Sequence, residues 1–470
     1  MNNSVGEYRM KFINREVELN ILKESKQKSN KKLYSIVIYG LRRVGKTRLI
    51  LEFLGEDDLY FFVNRNKTSK SLLEEFSQQL RINGIISKYE RVESWDEFFE
   101  IIFERFNGVV VFDEFQNFEF VDKEIFGILQ KYIDLYENRK KLLLIFSGST
   151  IGLIKKIFQD NKEPLYGRVK RKIKLNQIDL RGVMKMCNEL NITNIEEILK
   201  LYFVFGGFPR YYVMIEDECL EGKSFGEILD ELFFSEFAVM EDEINVILYN
   251  EFGKRGSLYY DILSAIADGC TSISEIASAL RKKETSLTRQ LNELINYFEI
   301  VGYEENVFRN KRLLYIKHPV LNFWFRFFYM NYSQYQKRDE RFKKYVFDNL
   351  NQYFGLRFEF VCRGLLPKLL GRNFDKLGKY WLKGLEIDIV GVCGNEVIFG
   401  ECKWKDNVNA KKVLSKLEEK VKKINIKSKN ITYVLFAKSF KNKVDEFGGV
   451  KVHCFDLKDI ELKIKNNVGL

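Results

Sequence analysis

The stretch "LYSIVIYGLRRVGKTRLI", residues 33–50, limits what this chain can fold into more than any other. An unbroken apolar run ends in "GLRRVGKT", Gly40 to Thr47, which satisfies G-x-x-x-x-G-K-[ST], and a helical pattern follows at once. A run of this kind is a strand buried on both faces, and a glycine-rich turn between such a strand and a helix lets backbone N–H groups face the oxygens of a phosphate. Gly40 and Gly45 supply the freedom to curl, Lys46 reaches the outer phosphates, and Thr47 offers a hydroxyl to Mg²⁺. Gly40, Leu41, Arg42, Arg43, Val44, Gly45, Lys46 and Thr47 are therefore the candidate nucleotide cradle.

Further apolar runs follow at "LYFFVN", "GVVVFDEF", "LLLIFSGS" and "RKIKLNQI", with helical stretches between them, out to about residue 178. Strands alternating with helices predict a parallel sheet covered on both faces, an α/β nucleotide-binding architecture. Asp113 closes one of these runs and is a candidate to hold Mg²⁺, while the adjacent Glu114 is placed to polarise an attacking water. Ser147 and Ser149 stand at the next strand end, where Ser149 can sense a terminal phosphate or cap the following helix. Phosphoryl transfer also calls for a cation beside the transferred group. Arg168 in "EPLYGR" is the candidate, from this chain or a neighbouring subunit, with Arg42 and Arg43 as alternatives.

With only two histidines, His318 and His453, catalysis must rest mainly on carboxylates, lysines, arginines and metal ions. Seven scattered cysteines with no C-x-x-C pair argue against a zinc ribbon or a disulfide framework. The apolar runs fall far short of the roughly 20 residues that cross a bilayer, and the start "MNNSVGEYRMKF" lacks the apolar core of a leader, so a cytoplasmic, non-membrane protein is expected. Net charge is +11, and residues 401–470 hold 17 lysines against 9 acidic residues, a balance suited to a polyanion such as DNA or to a solvated lysine-rich surface.

Residues 181–250 read as helical, with a tight "FGGFPRYY" at 205–212. Residues 251–335 read as three helices and a charged hairpin, the order of a winged helix-turn-helix. Arg281, Lys282, Lys283, Ser286, Thr288 and Arg289 are its candidate phosphate contacts, although residues 254–317 carry 10 basic against 8 acidic side chains. From 336 to 470 a smaller α/β unit is expected: helix, hairpin, helix, strand, helix, strand. The hairpin is "LEIDIVGVCGNEVIFGECKW", turning at "CGN". Strand parity puts Glu386 and Asp388 on one face, as it does Glu401 and Lys403, and closure at Gly394 brings Asp388 towards Glu401. Two carboxylates about 4 Å apart repel by roughly 4 kcal/mol at an effective dielectric of 20, so the pair needs a lysine beside it or a cation such as Mg²⁺ or Mn²⁺ between its members.

Taken together, "FINREVELNIL", "YGLRRVGKTRLI", "VVVFDEFQNF", "SGST", "PLYGR" and "GGFPRYY" resemble the archaeal ATPase family, a branch of the P-loop STAND/AAA-like ATPases. The resemblance implies ATP with Mg²⁺, an extra strand between the loop strand and the acidic strand, Glu114 as catalytic glutamate, and Pro209 as the proline that couples nucleotide to a helical lid. The C-terminal D…E-x-K layout resembles the PD-(D/E)xK restriction-endonuclease-like fold, with Ile387 where that motif has proline. That second resemblance implies a metal on Asp388 and Glu401, Lys403 orienting water, and Glu359 in "FEFVCRG" completing the site. The expected protein is an ATP-hydrolysing switch of residues 1–180 working on or with DNA, alone, as a homo-oligomer or with a protein partner. The alternative is a signalling, defence-type or DNA-binding switch whose C-terminal fold is inactive.

Overall fold

Five parallel strands form the first sheet of the computed structural model, which describes residues 10–253, 256–424 and 430–466. Residues 1–9, most of the start on which the expectation about a leader rests, lie outside the described residues. The strands are β1 (Tyr34–Tyr39), β2 (Leu59–Phe62), β3 (Gly108–Asp113), β4 (Leu142–Gly148) and β5 (Arg171–Lys174), in the order β2-β3-β4-β1-β5. All four pairings are parallel, and β4 lies between the loop strand β1 and the acidic strand β3. Every residue of β4 is buried, as a central parallel strand covered on both faces must be. Phe61, Phe76, Phe98, Phe112 and Trp95 interlock on one face at ring separations of 4.7 to 5.8 Å along the chain of contacts, which fixes that side of the sheet.

The chain divides into two compact units: residues up to 178 together with 208–210 and 296–299, and the remainder. The second unit opens with helices, among them Leu180–Glu189, Ile195–Phe205 and Phe225–Phe234. Three more helices, Ser257–Ala267, Ile273–Ala279 and Glu284–Asn292, precede a hairpin of β6 (Val301–Glu305) and β7 (Arg312–Ile316). The Leu314 N–H donates to the Thr271 carbonyl at 2.8 Å and so ties the hairpin back to the helices.

A 31-residue helix, Glu340–Leu370, leads into the second large sheet. Its strands are β8 (Lys376–Leu382), β9 (Leu385–Cys393), β10 (Glu396–Lys403), β12 (Asn430–Ala437), β14 (Glu446–Phe447) and β15 (Val450–Phe455); the short β11 (Val408–Asn409) and β13 (Phe440–Asn442) pair apart from it. The order is β14-β15-β12-β10-β9-β8. Two details correct the sequence expectation. Strand β8 was not foreseen, because lysines and a glycine blur its alternation. The helix expected between β12 and β15 is absent; β13 and β14 stand there, and Gly448 and Gly449, with φ of 56° and 76°, make the return into β15 that only glycine adopts freely. The chain as a whole is α/β, a parallel-sheet core followed by helices and a further sheet domain.

Candidate functional site

The first group of residues gathers where β1, β3 and β4 end. Gly45 has φ of 93°, the left-handed turn that opens the helix Lys46–Phe53, and Gly40 lies so close to the backbone that an added Cβ would stand 2.3 Å from the Leu175 oxygen. Lys46 is buried, its Nζ donating to the carbonyls of Gly40 at 2.9 Å and Leu41 at 3.0 Å, folded along the loop that it is expected to serve. Thr47 Oγ1 donates to Asp113 Oδ2 at 2.8 Å, and Tyr60 OH donates to the same oxygen at 2.8 Å. The two side chains read as holding Mg²⁺ are thus already in contact, presenting a hydroxyl and a carboxylate of the hard oxygen type that ion prefers.

Glu114 follows the last residue of β3 in a left-handed conformation, φ 54°, uncommon for a residue with a side chain and held by the Asn117 N–H on its carbonyl at 2.9 Å. Its Oε2 accepts from Ser149 Oγ at 2.8 Å and Gln116 Nε2 at 2.5 Å. Ser147 Oγ and Gln116 Oε1 are buried here without a hydrogen-bond partner. Buried polar atoms without partners are uncommon in folded proteins, and one at the end of β4 with another on the side chain that bonds Glu114 suit a site made for a polar ligand. Pro209 reaches the loop as well: its Cγ is 3.8 Å from where a Cβ of Gly45 would stand.

Arg168 departs from the expectation. The Ser35 hydroxyl donates to its carbonyl at 2.5 Å, so it sits by the start of β1, five residues before Gly40 and about 17 Å away at a strand rise of ~3.3 Å per residue. Its guanidinium grips Asp134 through two hydrogen bonds of 2.9 and 2.8 Å and adds the carbonyls of Pro164 and Tyr166. Within one chain it does not reach the cradle, which corrects that half of the reading. Arg42 and Arg43 remain on the loop itself, Arg42 half-buried and Arg43 exposed.

Arg15 is the residue that sequence reasoning passed over. It is buried, and its guanidinium donates to the Val44 carbonyl at 3.0 Å and the Asn176 carbonyl at 2.7 Å, clasping the loop to the segment after β5. "FINRE" was visible, but an isolated arginine before a helix carries no periodicity that marks it as buried.

The second group lies on the β8–β9–β10 sheet. The hairpin closes through Gly394 and Asn395, with Cys393 opposite Glu396 and Ile389 opposite Gly400, and Gly394 has φ of 56°. Continued one step, that register sets Asp388 against Glu401. Both are buried, and the Cys402 N–H donates to Asp388 Oδ2 at 3.0 Å. Lys403 Nζ is 2.7 Å from Glu401 and 3.6 Å from Asp388, and Lys420 takes the other Glu401 oxygen at 2.5 Å. Burial and the neighbouring Glu401 raise the pKa of Asp388; burial and Asp388 do the same to Glu359. Burial works against charging Lys403 but is outweighed by Asp388 and Glu401, which raise its pKa.

Ligand oxygens of Glu359, Glu386 and Asp388 lie within 4.8 Å of one another. Glu386 shares the face of Asp388, as strand parity required, but its part in this cluster went unread. Lys379 on β8 enters the same cluster, 2.9 Å from Glu359 and 2.7 Å from Glu386. The expected four, Glu359, Asp388, Glu401 and Lys403, are brought together around Asp388, with Glu359 held by Lys379 and Glu401 by both Lys403 and Lys420.

On the helix Glu284–Asn292 and the residues before it, Arg281, Lys282, Lys283, Ser286, Thr288 and Arg289 are all exposed, with Arg289 paired to Glu293 at 3.0 Å.

Residues 12–215 match an ATPase domain predominantly from Archaea, and residues 324–415 match DUF234, archaeal and bacterial proteins of unknown function. An uncharacterized protein of Methanocaldococcus jannaschii is 27% identical over 460 residues, 95% of this chain and 99% of that protein. The Walker-type ATPase of Pyrococcus abyssi shares the fold with a TM-score of 0.53 at 23% identity, over 67% of this chain and 96% of that one. The likeness of residues 12–215 to an ATPase domain supports ATP binding and hydrolysis. No helix among the described residues is long and apolar enough to cross a membrane.

Proposed function

We propose that this chain is an ATP-hydrolysing, Mg²⁺-dependent switch protein that acts on or with DNA through residues 251–335, with a PD-(D/E)xK-like unit in residues 336–470. The observation that carries the reading is the joined pair of contacts at the strand ends: Thr47 on Asp113, and Ser149 with Gln116 on Glu114. Backbone N–H groups of Gly40 to Thr47 bind the phosphates of ATP, and Lys46 swings from the loop carbonyls to the outer phosphates, a move its four-carbon stem allows. Thr47 and Asp113 would hold Mg²⁺, which when bound neutralises charge on the phosphate oxygens. Glu114, kept in one orientation by Ser149 and Gln116, takes the proton from the attacking water. Ser149 thereby couples the Glu114 carboxylate to the end of β4, and Pro209 rests against Gly45, so occupancy of the cradle is felt at residues 208–210. Arg168 is left to act only on a neighbouring subunit's nucleotide.

In the C-terminal unit Asp388 and Glu401 would hold a second Mg²⁺ or Mn²⁺, with Lys403 orienting water and Glu359 beside them. A second reading, a signalling or defence-type switch with an inactive C-terminal fold, is favoured by one observation: Lys379 and Lys420 already pair with Glu359, Glu386 and Glu401.

ATP turnover with and without DNA tests the first reading. Lys46→Ala and Glu114→Gln should each lose on the order of 10²-fold or more of turnover, as removal of a phosphate-binding cation or a general base does. Unchanged turnover in both variants would remove the assignment. Cleavage of DNA that needs Mg²⁺ or Mn²⁺ and disappears in Asp388→Ala and Lys403→Ala decides between the active and the inactive C-terminal fold.

A further inference from the structure

The pairing of β8 with β9 shifts register once: Gly378 faces Val390 and Tyr380 faces Ile387, so Lys379 alone stands opposite Asp388 and Ile389, and the extra residue is on β9. A bulge of this kind re-aims the side chains of the strand that carries it, and here those residues are Asp388 and Ile389, set opposite the lysine. Lys379 is only 8% exposed, and its Nζ lies between Glu359 Oε2 and Glu386 Oε1. Those carboxylates and Asp388 are close enough to share one ion. An ammonium buried among converging carboxylates is the electrostatic equivalent of a bound cation.

The backbone of Lys379 is held from outside its own sheet. Asn306, just past β6, forms a parallel bridge with Lys379; the Val307 N–H donates to the Lys379 carbonyl at 3.1 Å, and Asn306 Nδ2 donates to the Trp381 carbonyl at 2.9 Å. A second link runs from the same hairpin to the other side of the cluster. Arg363, itself buried, pairs with Glu304 at the end of β6 and donates to the Asp388 carbonyl at 2.7 Å. Gly378 permits this approach, since a Cβ there would stand 2.7 Å from the Glu305 oxygen. The β6–β7 hairpin is thus wired by backbone to the lysine and by an arginine to the aspartate.

We propose that Lys379 is an internal counter-cation that closes the Glu359–Glu386–Asp388 cluster to a divalent ion, and that the β6–β7 hairpin holds it there. Movement of the hairpin frees the Lys379 backbone, the ammonium leaves, and the three carboxylates open to Mg²⁺ or Mn²⁺. The proposal rests on the reading of the Asp388 region as a divalent-cation site.

Mn²⁺ titration of the full chain by calorimetry, paired with the Mn²⁺-dependent rise in melting temperature, tests it. Lys379→Met keeps the length and removes the charge. It should bind Mn²⁺ at least about tenfold more tightly than wild type, melt lower without the ion because Glu359 and Glu386 lose their lysine, and recover with it. Adding Asp388→Asn to Lys379→Met should abolish the gain. Val307→Pro, which deletes the N–H that holds the Lys379 carbonyl, should give part of the gain with Lys379 still present. Equal Mn²⁺ affinity of wild type and Lys379→Met, lost in Asp388→Asn, overturns the counter-cation while leaving the cation-site reading intact. No Mn²⁺ binding in either protein overturns both. A gain in Lys379→Met with none in Val307→Pro overturns the role of the hairpin.

Discussion

Gly40 has no room for a side chain, since the Leu175 carbonyl oxygen occupies the place of its Cβ. Gly40→Ala must therefore push the cradle away from the segment after β5, at a cost of about 1–3 kcal/mol of overpacking, and should cut ATP binding by an order of magnitude or more in a nucleotide titration. His318 matters through its protonation rather than its size. It accepts a hydrogen bond from the Leu321 N–H through Nδ1, capping the helix Pro319–Phe327, and burial holds its pKa down to about 3 against an ordinary 6.5. The unfolded chain takes up a proton below pH 6.5 that the folded chain refuses until about pH 3. The stability tied to the neutral ring is complete above the unfolded value and is lost as pH falls through that window. The linkage amounts to about 2 kcal/mol between pH 7.5 and 5, and His318→Asn should remove that part of the slope in denaturant titrations.

At the scale of elements, the helix Glu284–Asn292 and the β6–β7 hairpin have different surroundings. The helix leaves its basic and hydroxyl side chains to solvent, whereas Asn306 and Val307 of the hairpin are buried and bonded to β8. If DNA is bound, the helix and the residues before it offer a free surface, and at the hairpin tip Arg309, Lys311 and Arg312 are exposed as well. Replacing Arg281, Lys282 and Lys283 together by alanine should weaken DNA binding similarly across sequences and lower the slope of log affinity against log salt by up to about 3, roughly 0.9 for each phosphate no longer neutralised. A slope unchanged by the triple substitution would move the DNA-binding surface elsewhere, the lysine-rich residues 401–470 being the next to test.

At the scale of the whole molecule, two compact units with separate sheets predict two unfolding events. Differential scanning calorimetry with a non-hydrolysable ATP analogue and Mg²⁺ should raise one of them alone, by about 2.7 kcal/mol of stabilisation at a ligand concentration 100 times the dissociation constant. Lys46→Ala should abolish that shift and leave the other transition where it was. A single transition that moves as one body would instead mean that the units unfold together.

Local chemistry was enough to place the glycine turn and the acidic pair at strand ends, because a glycine turn between a buried strand and a helix, or a carboxylate ending an apolar strand, needs nothing beyond its neighbours in sequence. Strand parity likewise foretold that Asp388 and Glu386 share a face, and the Gly-Asn turn set the register that brings Glu401 opposite. What only the tertiary structure decided depends on residues far apart in the chain. Arg168 stands by the start of β1 and not at its end, Arg15 closes on Val44 and Asn176, and Lys379 lies between Glu359 and Glu386. Each outcome rests on a bulge, a buried guanidinium or a strand end, and a charged side chain in sequence looks the same whether water or a carboxylate will surround it.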